Sequence, residues 1–137
     1  KVLDVCNCIQ TVDSYKKAFE INRRTQRPIE ILLEINSAME TNKKGFLPNY
    51  VDILRETEKI VMLDNVVLKG VMTMGPFCNN PEDIRLFFRK TKDIFEKIKD
   101  DFPGENIDTL SMGMSDSYKI AIEEGSNMIR LGSIVFE

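Results

Sequence analysis

The chain contains no histidine. That removes the side chain that most often serves as a general base near neutral pH, and with it the commonest metal ligand. Cysteine is scarce: Cys6, Cys8 and Cys78 are an odd number without framework spacing. A disulfide scaffold is therefore not expected, and free thiols fit a reducing, cytoplasmic compartment. Cys6 and Cys8 would share one face of a strand, but without a second ligand pair they read as structural thiols rather than a zinc site. No apolar run approaches the roughly 20 residues that span a bilayer. The lysine-led start does not read as a signal peptide, so no membrane partner is expected. A net charge of −3 supplies no basic footprint for nucleic acid.

What is present is an ordinary globular composition, 42% hydrophobic and 30% charged over 137 residues, enough for one domain over 1–137 with a real core. Strand and helix signals alternate along the whole chain, which argues for a parallel sheet with crossover helices. Strands are expected over 8–11, 29–35, 66–74, 109–114 and 129–136. Asp13 is a candidate N-cap for a helix carrying Tyr15, Ala18 and Phe19. Pro48 can open the next helix, with Leu47, Val51, Leu54 and Val61 as its inner stripe. Asn80 and Pro81 open the clearest helix, in which Ile84, Phe87, Phe88, Thr91, Phe95, Ile98 and Phe102 recur at three- and four-residue steps. Such a stripe reads as core. The polar segment 36–46, with Lys43-Lys44-Gly45, is a loop, either a solvated connector or part of a site. In Val66–Met74, Met72 and Met74 alternate with Thr73 and default to core packing.

The richest segment is Ser111-Met-Gly-Met-Ser115-Asp116, followed after a short helix (116–124, closed by Gly125) by Met128-Ile-Arg130-Leu-Gly132-Ser133. Each half reads as a strand ending in small, hydroxyl-bearing residues. Residues two apart on a strand face one side, which puts Arg130 and Gly132 together: a cation beside bare backbone. Ser115 and Asp116 fall where a helix begins and its free N–H groups attract an anion. The pattern suggests a phosphorylated cofactor. The bland alternative for Arg130 is an ion pair at a sheet edge. Lys69, ahead of Gly70, is a solvated lysine rather than a cofactor-linking one.

The stretch SMGMSDSYKIAIEEGSNMIRLGSIVF resembles the signature region of the pyridoxal-phosphate homeostasis proteins, the YggS/PROSC family. Ile9–Ser14 (IQTVDS), Ile31–Asn36 (ILLEIN) and Leu68–Met74 (LKGVMTM) resemble that family's middle strands in the same order. The resemblance implies an α/β fold, a (β/α)8 TIM-type barrel of the alanine racemase N-terminal-domain kind. It also implies pyridoxal 5′-phosphate as cofactor, a role in intracellular homeostasis of that cofactor, and no catalytic turnover. A complete barrel of this type takes about 250 residues, so the chain would be the C-terminal portion, its last five strands. The family's cofactor-linking lysine would lie upstream of Lys1.

By the same resemblance, Met114, Ser115, Arg130, Gly132 and Ser133 are the cofactor-binding residues, and no residue of the chain is catalytic. Arg130 would stand near the pyridine nitrogen, with Ser115, Gly132 and Ser133 at the phosphate. Partners are then a small-molecule cofactor and either the missing N-terminal half of the barrel or a second copy covering open strand edges. Alone, the chain is expected to bind the cofactor weakly and without covalent attachment. Two competing readings are a racemase-like enzyme using the same cofactor and a flavodoxin-like phosphate-ligand binding domain.

Overall fold

The computed structural model describes residues 2–136. A short helix α1 (Val2–Val5) precedes a sheet of four strands, β1 (Cys8–Val12), β2 (Ile29–Glu34), β3 (Val66–Met72) and β4 (Thr109–Ser111). The strands lie in the order β1-β2-β3-β4, every pair parallel. A flavodoxin-like sheet would insert the first strand between the second and third. Here β2 pairs directly with β3 and β1 lies outside them, so the flavodoxin-like reading is overturned.

Three helices cross between the strands: α2 (Tyr15–Arg24), α3 (Tyr50–Ile60) and α4 (Arg85–Asp101). Ser14 rather than Asp13 caps α2, accepting from the Lys17 N–H, while Asp13 takes the Lys17 ammonium at 2.9 Å. Asn49 caps α3. The buried face of α3 is Ile53, Thr57 and Ile60, whereas Leu47 and Val51 are exposed. Of the expected stripe, Val61 packs against the core, but the buried line runs through Ile53, Thr57 and Ile60 instead of Leu47 and Val51. Asn80 and Pro81 open a 3-10 turn, Pro81–Ile84, that leads into α4. Phe88, Thr91, Ile94, Phe95 and Ile98 form the inner face of α4.

The main core gathers Ile29, Ile31 and Leu33 of β2 and Leu68 and Val71 of β3 against these helices. Leu32 and Met72 are just as buried but lie outside that cluster, as expected if alternate residues face the opposite side of the sheet. Gly70 is where β3 and β4 come closest: a Cβ there would stand 1.7 Å from the Thr109 carbonyl oxygen.

The fifth strand expected over 129–136 does not form. Met128 bridges Ser111 in parallel, and the Arg130 N–H reaches the Gly113 carbonyl at 3.0 Å, so the segment starts along β4 as foreseen. It then turns away, because the Gly132 and Ile134 N–H groups bond to Ser115 Oγ rather than to a strand. Ser133–Phe136 closes the described chain as a short helix, α6. A further helix, α5 (Tyr118–Glu123), is shorter than the 116–124 expected and starts beyond Ser115 and Asp116.

Candidate functional site

The turn after β4 is shaped by Gly113. Its φ is +96°, and a Cβ there would press to 2.6 Å from the Ala121 Cβ and 2.9 Å from the Tyr118 Cα. Only glycine allows this turn to lie against α5. Ser117 Oγ accepts from the Met114 N–H at 3.2 Å, fixing the start of α5. Beyond α5, buried Ser126 sits among the carbonyls of Leu110, Met112 and Met128 at 2.9–3.1 Å and accepts from the Met112 N–H. One hydroxyl thereby aligns the end of β4 with the segment that carries Arg130.

The five residues singled out in the sequence come together. Met114, Ser115, Arg130, Gly132 and Ser133 line one depression of about 550 Å³, joined by Asp116 and Ile134. It lies beyond the C-terminal end of β4, where parallel α/β domains build their sites. A Cβ added to Gly132 would meet nothing within 4 Å, so the bare backbone faces open space. A second cavity of about 580 Å³ adjoins it through Met114 and Asp116, and Glu34, Lys43, Lys44 and Thr73 are among its walls.

Arg130 points inward and is not the surface ion pair of the bland reading. Its Nη1 donates to Ser111 Oγ at 2.6 Å, and its Nη2 donates to the Thr73 carbonyl at 2.8 Å and approaches Met74 Sδ at 3.6 Å. Among the described residues no carboxylate is in ion-pair contact with it. Burial pulls the guanidinium below its ordinary range, opposed by the more distant charge of Glu34. Burial in turn pushes the Glu34 carboxyl above its usual range, with Asp13 adding to the effect and Lys17, Lys44 and Arg130 opposing it. A half-buried cation, bare backbone and hydroxyls thus share one depression with the Asp116 carboxylate.

Three contributors were not among the expected site residues: Gln10, Ser111 and Thr73. Ser111 Oγ donates to Gln10 Oε1 at 2.7 Å, and Thr73 Oγ1 bonds the Ile35 carbonyl and Ser37. A signal existed, since each is a polar residue at an alternating position within an apolar strand run. Loop 36–46 is pinned rather than loose, because the Asn36 amide bonds both the N–H and the carbonyl of Glu40. Lys69 Nζ is taken by Asp108 at 2.9 Å, remote from the depression. Met72 is core as expected, and Met74 stands exposed beside Arg130.

A parallel sheet traversed in chain order, with an arginine and unencumbered backbone beyond its last strand, defines an α/β domain of the class that places its ligand site at the strand ends. The chain belongs to the alanine racemase N-terminal domain family, which it matches over residues 2–137. It is 34% identical over 131 residues to the pyridoxal phosphate homeostasis protein of Haemophilus influenzae, covering 93% of this chain and 54% of that one. The chain thus spans about half the length of the curated relatives it matches. Among solved structures, it is 34% identical to an unknown protein from Bifidobacterium adolescentis, with a TM-score of 0.89 over 98% of this chain and 55% of that one. It superposes on PipY of Synechococcus elongatus with PLP bound at a TM-score of 0.84 and 23% identity, covering 99% of this chain and 63% of PipY.

Proposed function

We propose that the chain is the C-terminal portion of a (β/α)8 barrel that binds pyridoxal 5′-phosphate and serves its intracellular homeostasis without catalytic turnover. The observation that carries this reading is Arg130, a half-buried guanidinium held by neutral partners among the described residues, in one depression with Ser115, Gly132 and Ser133. The names of the relatives support it: homeostasis proteins for this cofactor and a similar fold solved with the cofactor bound. The cytoplasm, as the compartment of such a protein, is part of the same proposal.

The residues present fit the group. The N–H groups of Gly132 and Ile134 converge on Ser115 Oγ, so phosphate oxygens can take the same donors while the Ser115 and Ser133 hydroxyls add their own. Arg130 keeps its proton and can only donate; it holds a pyridine nitrogen in its unprotonated form. When bound, the cofactor supplies an electrophilic carbonyl and an electron-withdrawing ring. A donor at the nitrogen that never yields its proton weakens that withdrawal, which suits storage and delivery of the cofactor better than wide-ranging amine chemistry.

Absorbance titration of the complete protein with pyridoxal 5′-phosphate tests the reading. Arg130→Ala should displace the absorbance maximum of the bound cofactor and leave the fold intact, and an unchanged spectrum would sink the assignment. Racemisation of alanine by the complete protein would favour the enzymatic alternative.

A further inference from the structure

We infer that Gln10 and Ser111 are positioning residues that orient Arg130 for its ligand, forming a relay that crosses the concave face of the sheet from β1 to β4. Gln10 lies on the first strand and Ser111 on the last, and those strands are not neighbours. Their side chains nevertheless meet at 2.7 Å, with Ser111 Oγ donating to Gln10 Oε1, so the sheet curls far enough to bring its two edges into contact. Gln10 Nε2 simultaneously approaches Met128 Sδ at 3.2 Å, which ties β1 to the Arg130 segment a second time.

The direction of the bonds matters. A serine hydroxyl has one proton and two lone pairs. Because the Ser111 proton is spent on Gln10, a lone pair faces Arg130 Nη1 at 2.6 Å. Ser111 is wholly buried, so water does not replace Gln10 as acceptor. Among the described residues, the groups that bond the guanidinium are neutral: a hydroxyl, the Thr73 carbonyl and the Met74 thioether. The relay fixes a flexible side chain without cancelling its charge, and preorganised charge is what an anionic or electron-rich ligand gains from most. A carboxylate in place of Gln10 would orient Arg130 while weakening its field.

This inference rests on the cofactor reading above, and one set of titrations separates the two. Pyridoxal 5′-phosphate is titrated by absorbance into the complete protein carrying Gln10→Met, Ser111→Ala, Arg130→Ala, or Gln10→Met with Arg130→Ala. Loss of the Ser111–Arg130 bond, direct in Ser111→Ala and through an unfixed Ser111 hydroxyl in Gln10→Met, should weaken binding about tenfold in each. Both should move the absorbance maximum of the bound cofactor in the direction set by Arg130→Ala. The double variant should bind no worse than Arg130→Ala alone, because Gln10 acts only through the arginine. Additive losses in the double variant overturn the relay, as does an unchanged spectrum in Gln10→Met when Arg130→Ala shifts it; the cofactor reading survives either result. A silent Arg130→Ala overturns both. If Ser111→Ala fails to fold, Gln10→Met carries the test, because the half-buried Gln10 and methionine are similar in size. An unaltered melting midpoint for Gln10→Met then separates positioning from general destabilisation.

Discussion

Along β2 and β3 the chain buries apolar side chains on both faces, with Ile31, Leu32, Leu33 and Val71 all fully enclosed. From Met112 to Phe136 only a few side chains, Met112, Ile120 and Ala121 among them, join the core, and hydroxyl and amide bonds to backbone add to them through Ser126, Ser117, Ser115 and Asn127. The first region is fastened by area, at about 25 cal/mol per Å² of apolar surface removed from water, and tolerates little change in volume. The second is fastened by a few directed contacts and leaves Leu131, Ile134, Val135 and Phe136 exposed. Burial makes a platform; directed bonds place the side chains that a ligand would meet.

The hardest way to break the first region is Gly70→Ala. Its Cβ would invade the Thr109 backbone, so β3 and β4 must part, at more than the ~1–3 kcal/mol of ordinary overpacking. Chemical denaturation should show loss of cooperative unfolding, and a near-native midpoint would contradict the tight β3–β4 approach. Leu33→Ala should cost ~2–5 kcal/mol through lost burial and a residual cavity, read as a lower denaturant midpoint at constant slope.

Ser126→Ala probes the second region. Stranding the polar groups around it should cost ~1–3 kcal/mol. Amide exchange should quicken at Met112 and Arg130 while β2 keeps its protection; uniform quickening would mean that the two regions are not held separately.

Glu34→Gln gives the smallest effect. The folded pKa of Glu34 lies above its unfolded value, so its contribution is intact at low pH and is lost as pH rises through the folded pKa. Replacing the carboxyl by a neutral amide should raise the melting midpoint near pH 8 more than near pH 4, by under about 1 kcal/mol for a group partly screened by solvent. An equal change at both pH values would show that burial does not strain this carboxylate.

The platform was the more legible region. Period and length mark the four strands, and their order follows from short right-handed crossovers between neighbours. The face of α3 was missed because apolar residues lie on both sides of it, and Val51 stays exposed while Ile53, Thr57 and Ile60 are buried. Of the residues of the depression, Arg130 and Gly132 were legible from their alternation, while Met114 and Ser133 entered through the family resemblance. Their secondary structure was not legible. Ser133 looked like a strand residue because Ile129–Phe136 is apolar, but the Ser115 hydroxyl captures the N–H groups that a strand would have used. The partners of Arg130 come from strands separated by 57 and 19 residues, a convergence that no local pattern encodes.

That Ser115 hydroxyl has one more consequence. Ser115 Oγ accepts from the Gly132 and Ile134 amides at 3.1 and 3.3 Å. An arriving anion exchanges one acceptor for another instead of rescuing orphaned donors, and a departing one leaves no unsatisfied groups behind. Because those donors are already satisfied, an anion would gain less by taking them. Such a seat trades tenacity for turnover of its occupant, as a coat hook does and a lock does not.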